Sequence, residues 1–282
     1  MKEEIRKDYL RRLFIPYRKG NEWKSFIFQY LQGSGNELKK KFWSTQSSSR
    51  LCFDLYSWMA SDPRFDDIEF EFKLPGLKSG KRQVSPNMDV FFETKNGIYF
   101  IESKYTETSN NFNYEKDLPQ AYWVEKAEYL NVKGKVVSYP IIERYDNKEN
   151  VMKEFVKFIK GIKAMAKQEQ NSSWFDAKQE TCHLLGIVMY ALEKKPTKPV
   201  HFLNVAANYK KDDSFAEAFR TKAKEMMQRI LNEQSIQFDY RLYSVKDFFE
   251  KEHFLDKTGY KSDKKVCDLI SDKTLYRIQP IL

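Results

Sequence analysis

The chain has 282 residues, of which 41% are hydrophobic and 16% aromatic, enough to bury a full core in one large or two modest domains. Lys and Arg outnumber Asp and Glu by 49 to 40, and the resulting net charge of +9 favours polyanionic partners. This composition indicates a globular protein, and no apolar run approaches the ~18 residues of a membrane span.

The N-terminus and the cysteines together indicate the compartment. The opening segment MKEEIRKDYLRR is charged from its second residue and lacks the apolar region of a signal peptide. Cys52, Cys182 and Cys267 are too far apart in sequence to suggest a disulfide framework or a zinc-ligand pair. We therefore expect a reduced, cytoplasmic protein with no membrane partner.

Helices and then a strand are predicted for the first quarter of the chain. Residues 22–32 are typical of a helix that ends at Gly33 and Gly35, which follow it in the sequence. Serines 47–49 resemble a helix cap, and the apolar residues after them recur at helical spacing. Residues 67–74 alternate apolar with charged side chains, which predicts a half-buried strand.

A β-hairpin is the strongest local prediction. Residues 87–94 and 98–105 are apolar runs of strand length, and Asn96-Gly97 between them is a preferred two-residue turn. Because most positions in both runs are apolar, both faces of these strands should be covered, which places the hairpin in the centre of a sheet.

With that turn, pairing outward from it places Asp89 opposite Lys104 and Phe91 opposite Glu102. Glu102 and Lys104 share a face in any register, because side chains alternate along a strand, and Ser103 points the other way. Three charges therefore converge on one place in an otherwise apolar hairpin.

The rest of the chain continues with helices and two more strands. The predicted segments are helices near 117–131, 149–167 and 174–193, a strand at 199–207, a helix at 214–232 and a strand at 237–245. This order predicts an α/β fold with a mixed central sheet flanked by helices. No linker separates two halves, so we expect a single globular unit, with a helical N-terminal extension over residues 1–34 and the main domain over 35–282.

The hairpin charges favour a metal site. A charge near a core must be paired or must bind a metal. Two acids with one lysine leave a net negative pocket that suits Mg²⁺, whose other positions water and a substrate phosphate fill. A nearby ammonium can position or deprotonate a water and offset charge on a phosphorane. The alternative is a solvated salt-bridge cluster at the open end of the sheet.

The residues of the hairpin also resemble a known family. Written P-N-M-D and then E-S-K, they are similar to the motif of the PD-(D/E)XK superfamily of restriction-endonuclease-like nucleases, although Asn87 and Met88 separate the proline from the aspartate. A mostly uncharacterised bacterial branch of this superfamily is similar over roughly residues 35 to 245. The segments that resemble it are 44–58, 86–90, 102–105 and 175–187.

The resemblance implies both a fold and an activity. The fold would be a restriction-endonuclease-like core of order αβββαβ with extra helices. The activity would be that of a Mg²⁺-dependent DNA endonuclease, in which a metal-activated water attacks the phosphate and Mn²⁺ can replace Mg²⁺. Asp89 and Glu102 would be metal ligands and Lys104 the catalytic lysine. DNA is expected before RNA, and a homodimer would allow both strands of a duplex to be cut.

Further residues are candidates for the same site. The resemblance makes Glu37 a candidate third metal ligand, with Asp54 and Glu71 as weaker contenders; the alternative for Glu37 is a surface glutamate that neutralises the lysines after it. Gln179 and His183 lie four apart on one helix face. They resemble a Q-x-x-x-Y pattern that orients substrate in some branches of the superfamily, although a lone helical histidine is more often structural. Ser48 would bind a substrate phosphate at a helix N-terminus, and its simpler role is to cap the helix.

Two other functions remain open. The first is a catalytically inactive nucleic-acid-binding module of the same fold, against which the complete Asp, Glu and Lys set argues. The second is a scaffold in which the three charges form a buried salt-bridge network, so that removal of Glu102 would unfold the protein.

Overall fold

A five-stranded mixed sheet organises the part of the chain that this computed structural model describes. The described residues are 2–14, 16–19, 22–32, 38, 41–43, 47–75, 77–79, 82–84, 86–104, 126–130, 136–140, 149–168, 175–206, 214–245 and 247–248. The strands are β1 Pro16–Lys19, β2 Glu22–Ser25, β3 Phe65–Lys73, β4 Leu77–Ser79, β5 Arg82–Val84, β6 Asn87–Thr94, β7 Gly97–Lys104, β8 Lys126–Leu130, β9 Val136–Pro140, β10 Val200–Ala206 and β11 Phe238–Ser244.

The helices cover both faces of this sheet. They are α1 Lys2–Leu13, α2 Phe26–Gln32, α3 Ser48–Tyr56, α4 Glu149–Gln168, α5 Ala177–Lys194 and α6 Ser214–Asn232, with short 3₁₀ turns at Lys41–Trp43 and Ser57–Ser61. No helix among these is long and apolar enough to cross a membrane.

The strand order of the sheet is β11-β10-β7-β6-β3. Strands β3, β6 and β7 form an antiparallel meander, whereas β10 runs parallel to both β7 and β11. Strands β1 with β2, β4 with β5 and β8 with β9 form separate two-stranded pairs. The predicted α/β architecture with a mixed sheet between helices is therefore confirmed.

Two hydrophobic cores lie on opposite faces of the sheet. One joins Phe91 and Phe100 of the hairpin to the apolar faces of α4, α5 and α6. The other joins Val90 and Phe92 to α1, α2 and α3. The hairpin is apolar on both faces because each face is covered by helices, as its sequence predicts.

Local sequence signals explain where the helices next to the hairpin begin and end. The Ser47 hydroxyl accepts the backbone N–H of Arg50 at 3.1 Å and caps α3, as the serine run predicts. The Asp176 carboxylate accepts the N–H of Gln179 at 2.9 Å and caps α5. At the other end of α5, Lys195 adopts a left-handed conformation with φ 46° and stops the helix.

Two predicted elements are wrong in part. Residues 22–25 form β2, and the predicted helix begins only at Phe26. Residues 126–130 form β8, paired antiparallel with β9, where a helix was predicted. In both cases partner strands decide the structure, because pairing with another strand overrides weak local helix propensity. The remainder of the predicted helix at 117–131 lies outside the described residues.

Candidate active site

The hairpin register differs from the predicted one, and the two acidic residues lie just beyond its last pair. Thr94 pairs with Gly97, so the turn consists of Lys95 and Asn96, and Val90 pairs with Ile101. Asp89 and Glu102 are the next residues beyond this last pair. The predicted register, with Asp89 opposite Lys104, is therefore wrong by two residues of the partner strand. Glu102 is the charged group with the largest effect on the pKa of Asp89, so the two carboxyl groups lie close together.

An unusual backbone conformation lies beside Asp89. Glu71, in the neighbouring strand β3, has a φ of 52°, which is rare for a residue other than glycine and costs on the order of 1–3 kcal/mol. The regular alternation of side chains along β3 is interrupted at Glu71, because Phe70 packs into one core and Phe72 packs against the other. Such conformations concentrate at functional sites, because the surrounding fold must hold them in place.

Asp89 is held by the backbone of the partner strand. Its Oδ2 accepts the N–H of Ser103 at 2.7 Å. The pKa of Asp89 is raised well above its usual range, first because its carboxylate is desolvated and next because of the negative charge of Glu102. Lys104 and the Ser103 N–H oppose this rise, while Glu71 adds to it. Two carboxylates therefore repel each other here, and a bound cation would stabilise both as anions.

Glu102, Lys104 and Gln179 form a closed triangle of hydrogen bonds. The Lys104 ammonium donates to Glu102 Oε1 at 2.7 Å and to Gln179 Oε1 at 2.5 Å. The Gln179 amide nitrogen donates to the same Glu102 oxygen at 2.8 Å. Only 3% of the Glu102 side chain and 13% of the Lys104 side chain are exposed. The Oε1 oxygen of Glu102 is therefore occupied by two donors, which fix the orientation of the carboxylate.

The second oxygen of Glu102 faces His183. Oε2 lies 3.7 Å from His183 Nε2, beyond hydrogen-bond distance. Among the described residues, both Glu102 Oε2 and His183 Nδ1 are buried without a hydrogen-bond partner. Burial lowers the pKa of His183, while the charge of Glu102 and a hydrogen bond to the backbone of Asn87 oppose that shift. Burial thus favours the uncharged imidazole next to Glu102.

Helix α5 approaches the hairpin closely. A Cβ at Gly186 would lie 2.7 Å from Leu74 Cβ and 3.0 Å from a ring carbon of Pro86, so only glycine fits this contact. Gln179, His183 and Gly186 share one helix face, and this close approach brings the first two against Glu102. The structure thus brings both predicted α5 residues to the predicted site.

A second buried carboxyl group on α5 was not predicted. Glu180 Oε1 accepts from the Asn204 amide at 2.6 Å, and its Oε2 accepts from the Tyr240 hydroxyl at 2.8 Å. Burial, followed by the charge of Glu102, raises the pKa of Glu180 to about 8. The signal available in the sequence was Asn204, a polar residue inside the apolar strand run 199–207, which a buried partner must satisfy.

The remaining predicted site residues lie elsewhere. Glu37 falls outside the described residues. Ser48 is the first residue of α3 and is half-buried, while its neighbour Ser47 provides the cap. Asp54 accepts hydrogen bonds from the Tyr9 hydroxyl and from Arg12, the latter at 2.8 Å, so it joins α3 to α1. Glu71 remains next to Asp89 and accepts from the Asn87 amide at 3.4 Å.

The carboxylates fit a hard divalent cation with few protein ligands. No group of three or more His, Cys, Asp or Glu that could hold a metal occurs within the described ranges. Mg²⁺ is usually held by one or two carboxylates, with water and substrate phosphate at its other positions. The buried Glu102 Oε2 and the mutual repulsion with Asp89 are what such an ion would relieve.

Comparison with known proteins gave no relative. The chain matches no family model, no curated protein and no solved structure.

Proposed function

We propose that this chain is a Mg²⁺-dependent phosphodiester hydrolase of the PD-(D/E)XK type that cuts DNA. The observation that carries the proposal is the convergence of Asp89, Glu102, Lys104 and Gln179 at one end of the central hairpin. Within the described part of the chain, a buried oxygen of Glu102 has no hydrogen-bond partner there. The chain order of α3, the meander β3, β6 and β7, α5 and β10 supports it, since the resemblance implies the order αβββαβ.

Each residue would have a separate task. The carboxylates of Asp89 and Glu102 would hold the ion, and the Ser103 N–H and the Gln179 amide orient them. When bound, the ion supplies Lewis acidity toward a phosphate oxygen and lowers the pKa of water. The Lys104 ammonium, the more exposed member of its ion pair, would lie beside the phosphate and offset the negative charge that builds up during attack. Gln179 would keep that ammonium in place.

The proposal is tested by incubating the protein with supercoiled plasmid, single-stranded DNA and RNA in Mg²⁺, in Mn²⁺ and in EDTA. We expect metal-dependent cutting of DNA. Glu102→Gln should lower its rate about 10³-fold, because one ligand charge is lost from a site that has few ligands. Gel analysis of the products over time measures this.

Glu93→Gln is the matched control, since Glu93 is an acid of the same hairpin that pairs with Lys198 at 3.5 Å. It should cut at the wild-type rate. No cutting of any substrate with either metal, or equal cutting by Glu102→Gln, would contradict the proposal.

A structural ion-pair network is the competing candidate, and the direct contact between Lys104 and Glu102 favours it. In that case Asp89 would stabilise the metal-free fold by compensating Lys104, and Asp89→Asn would destabilise the protein. In a metal site the same change removes repulsion from Glu102 and keeps an oxygen for the Ser103 N–H.

We expect Asp89→Asn to raise the free energy of unfolding without metal, on the order of 1 kcal/mol, the size typical of coupled neighbouring groups. The variant should also lose the Mn²⁺ binding that calorimetry detects in the wild type. A lower melting temperature of Asp89→Asn in EDTA, together with a wild type that binds no Mn²⁺, would favour the structural network.

A further inference from the structure

A stripe of lysines runs along the outer face of α4. We define the lysine stripe as Lys153, Lys157, Lys160 and Lys163. Their separations of four, three and three residues place them on one side of the helix. The first three are exposed and Lys163 is half-buried. The sequence predicted the helix but assigned no role to these lysines.

The opposite face of α4 is fully used by the core. Val151, Phe155, Phe158, Ile159 and Ile162 are buried in the core that α4 shares with α5, α6 and the sheet. A helix that binds a membrane surface must place its apolar face into the lipid. The apolar face of α4 is already buried in the core, which argues against membrane binding. The acid Glu154 pairs with Arg229 of α6 at 3.1 Å, so its carboxylate is directed toward α6.

The stripe has the dimensions of a short stretch of nucleic-acid backbone. Lys153 and Lys163 are ten positions apart, so they span about 15 Å of helix at about 1.5 Å per residue. One strand of duplex DNA presents a phosphate about every 3.4 Å along the axis, so the stripe would lie along about four phosphates. Four lysines over this length match such an array in number and in charge.

Helix α4 belongs to the same layer as the candidate active site. The ring of Phe158 contacts Phe219 with centroids 5.3 Å apart, and Phe219 contacts Phe175 at 5.0 Å. Phe175 immediately precedes Asp176, which caps α5 at Gln179. Two ring contacts therefore connect the stripe helix to the end of α5 that touches Glu102 and Lys104.

We propose that the lysine stripe of α4 binds the phosphate backbone of a DNA duplex and holds the substrate across the α4–α6 layer. The inference rests on the proposed function for the identity of the polyanion, and the binding itself requires neither metal nor cleavage. Contacts of this kind position a duplex without reading its sequence.

The test measures binding of a short fluorescent DNA duplex in EDTA across a salt series. The triple variant Lys153→Gln, Lys157→Gln, Lys160→Gln keeps helix propensity and side-chain length. Loss of three phosphate contacts should reduce the slope of log affinity against log salt by about 2 to 3 and weaken binding on the order of 10²-fold at 0.1 M salt. The control variant Lys7→Gln, Arg11→Gln, Lys95→Gln removes the same charge from exposed positions on α1 and in the hairpin turn, away from the α4–α6 layer, and should bind as the wild type does.

Each outcome decides the inference. A shallower salt slope in the stripe variant alone supports it, even if no metal then produces cleavage, in which case only the proposed hydrolase fails. Equal slopes in the stripe and control variants overturn it, even if the wild type cuts DNA. Wild-type binding to vesicles that contain phosphatidylserine, with none to DNA, also overturns it. Melting temperatures of both variants confirm that they are folded.

Discussion

Replacing Lys104 with methionine should lower the rate of DNA cleavage about 10³-fold while Mn²⁺ binding is kept or strengthened, because well-placed charges contribute about 10²- to 10⁴-fold to catalysis. Methionine preserves much of the unbranched side chain and removes only the ammonium. Asp89 and Glu102 then lose the positive charge of Lys104, so a cation between them should bind no more weakly than before. Loss of cleavage with Mn²⁺ binding retained would therefore assign Lys104 to catalysis and not to metal binding.

The Lys104 prediction distinguishes a chemical role from a structural one. If Lys104 only neutralises Glu102, its removal leaves a buried carboxylate with Gln179 as its remaining partner in the triangle, and the protein should be strongly destabilised. In a metal site, saturating Mn²⁺ should restore the melting temperature of Lys104→Met without restoring cleavage. Calorimetric titration with Mn²⁺, melting with and without metal, and single-turnover cleavage measure the three quantities.

Lys198→Met is the matched control for the loss of one positive charge. Lys198 pairs with Asp66 at 3.3 Å and with Glu93 at 3.5 Å, and it precedes β10 at the hairpin-turn end of the sheet. It should cut DNA and bind Mn²⁺ as the wild type does. Wild-type cleavage by Lys104→Met would remove the lysine from the mechanism.

The sequence was sufficient for the elements that surround the site. The strands at 87–94 and near 98–105, the strand near 199–207 and the helix at 214–232 follow from local patterns, and the structure has them within a residue or two. These segments combine strong apolar periodicity with clear ends. Glu102, Lys104, Gln179 and His183 could be grouped because two periodicities, of strand and of helix, fix which side chains share a face.

The detailed geometry of the site required the tertiary structure. The turn type selected the register, and a favourable Asn-Gly pair was displaced by a turn at Lys95 and Asn96 with Gly97 already in the strand. A Cβ at Gly97 would lie 2.8 Å from the His201 ring, so that glycine is required for packing as well. Neither this contact nor the left-handed Glu71 leaves a pattern in the sequence. Both depend on residues far apart in the chain.

The environment of Glu180 also depends on residues far apart in the chain, Asn204 and Tyr240. Its titration has the largest expected effect on the free energy of unfolding. Its pKa is about 8 in the folded protein against the usual 4.5, mainly because it is buried and secondarily because of Glu102. Between these two values the folded state holds a proton that the unfolded state has released. The free energy of unfolding therefore falls as pH rises from about 4.5 to about 8, by up to roughly 5 kcal/mol at 1.36 kcal/mol per unit.

Glu180→Gln should remove this dependence, because the amide is neutral at every pH and can still bond with Asn204 and Tyr240. At pH 5 the variant and the wild type should be about equally stable. At pH 9 the variant should be more stable by a few kcal/mol, on the scale that linkage gives for a fully buried carboxyl group. Urea denaturation across this pH range measures the difference.

Comparing the variant with the wild type isolates Glu180 from its titrating neighbours. Asp89 has a raised pKa and acts in the same direction, whereas His183 has a lowered pKa and makes the fold more stable as pH rises. Both contributions are present in the two proteins and cancel in the difference. Glu193→Gln, an exposed acid near the end of the same helix, is the control and should follow the wild type at every pH. A constant difference between Glu180→Gln and the wild type from pH 5 to 9 would mean that Glu180 is already ionised in the folded protein.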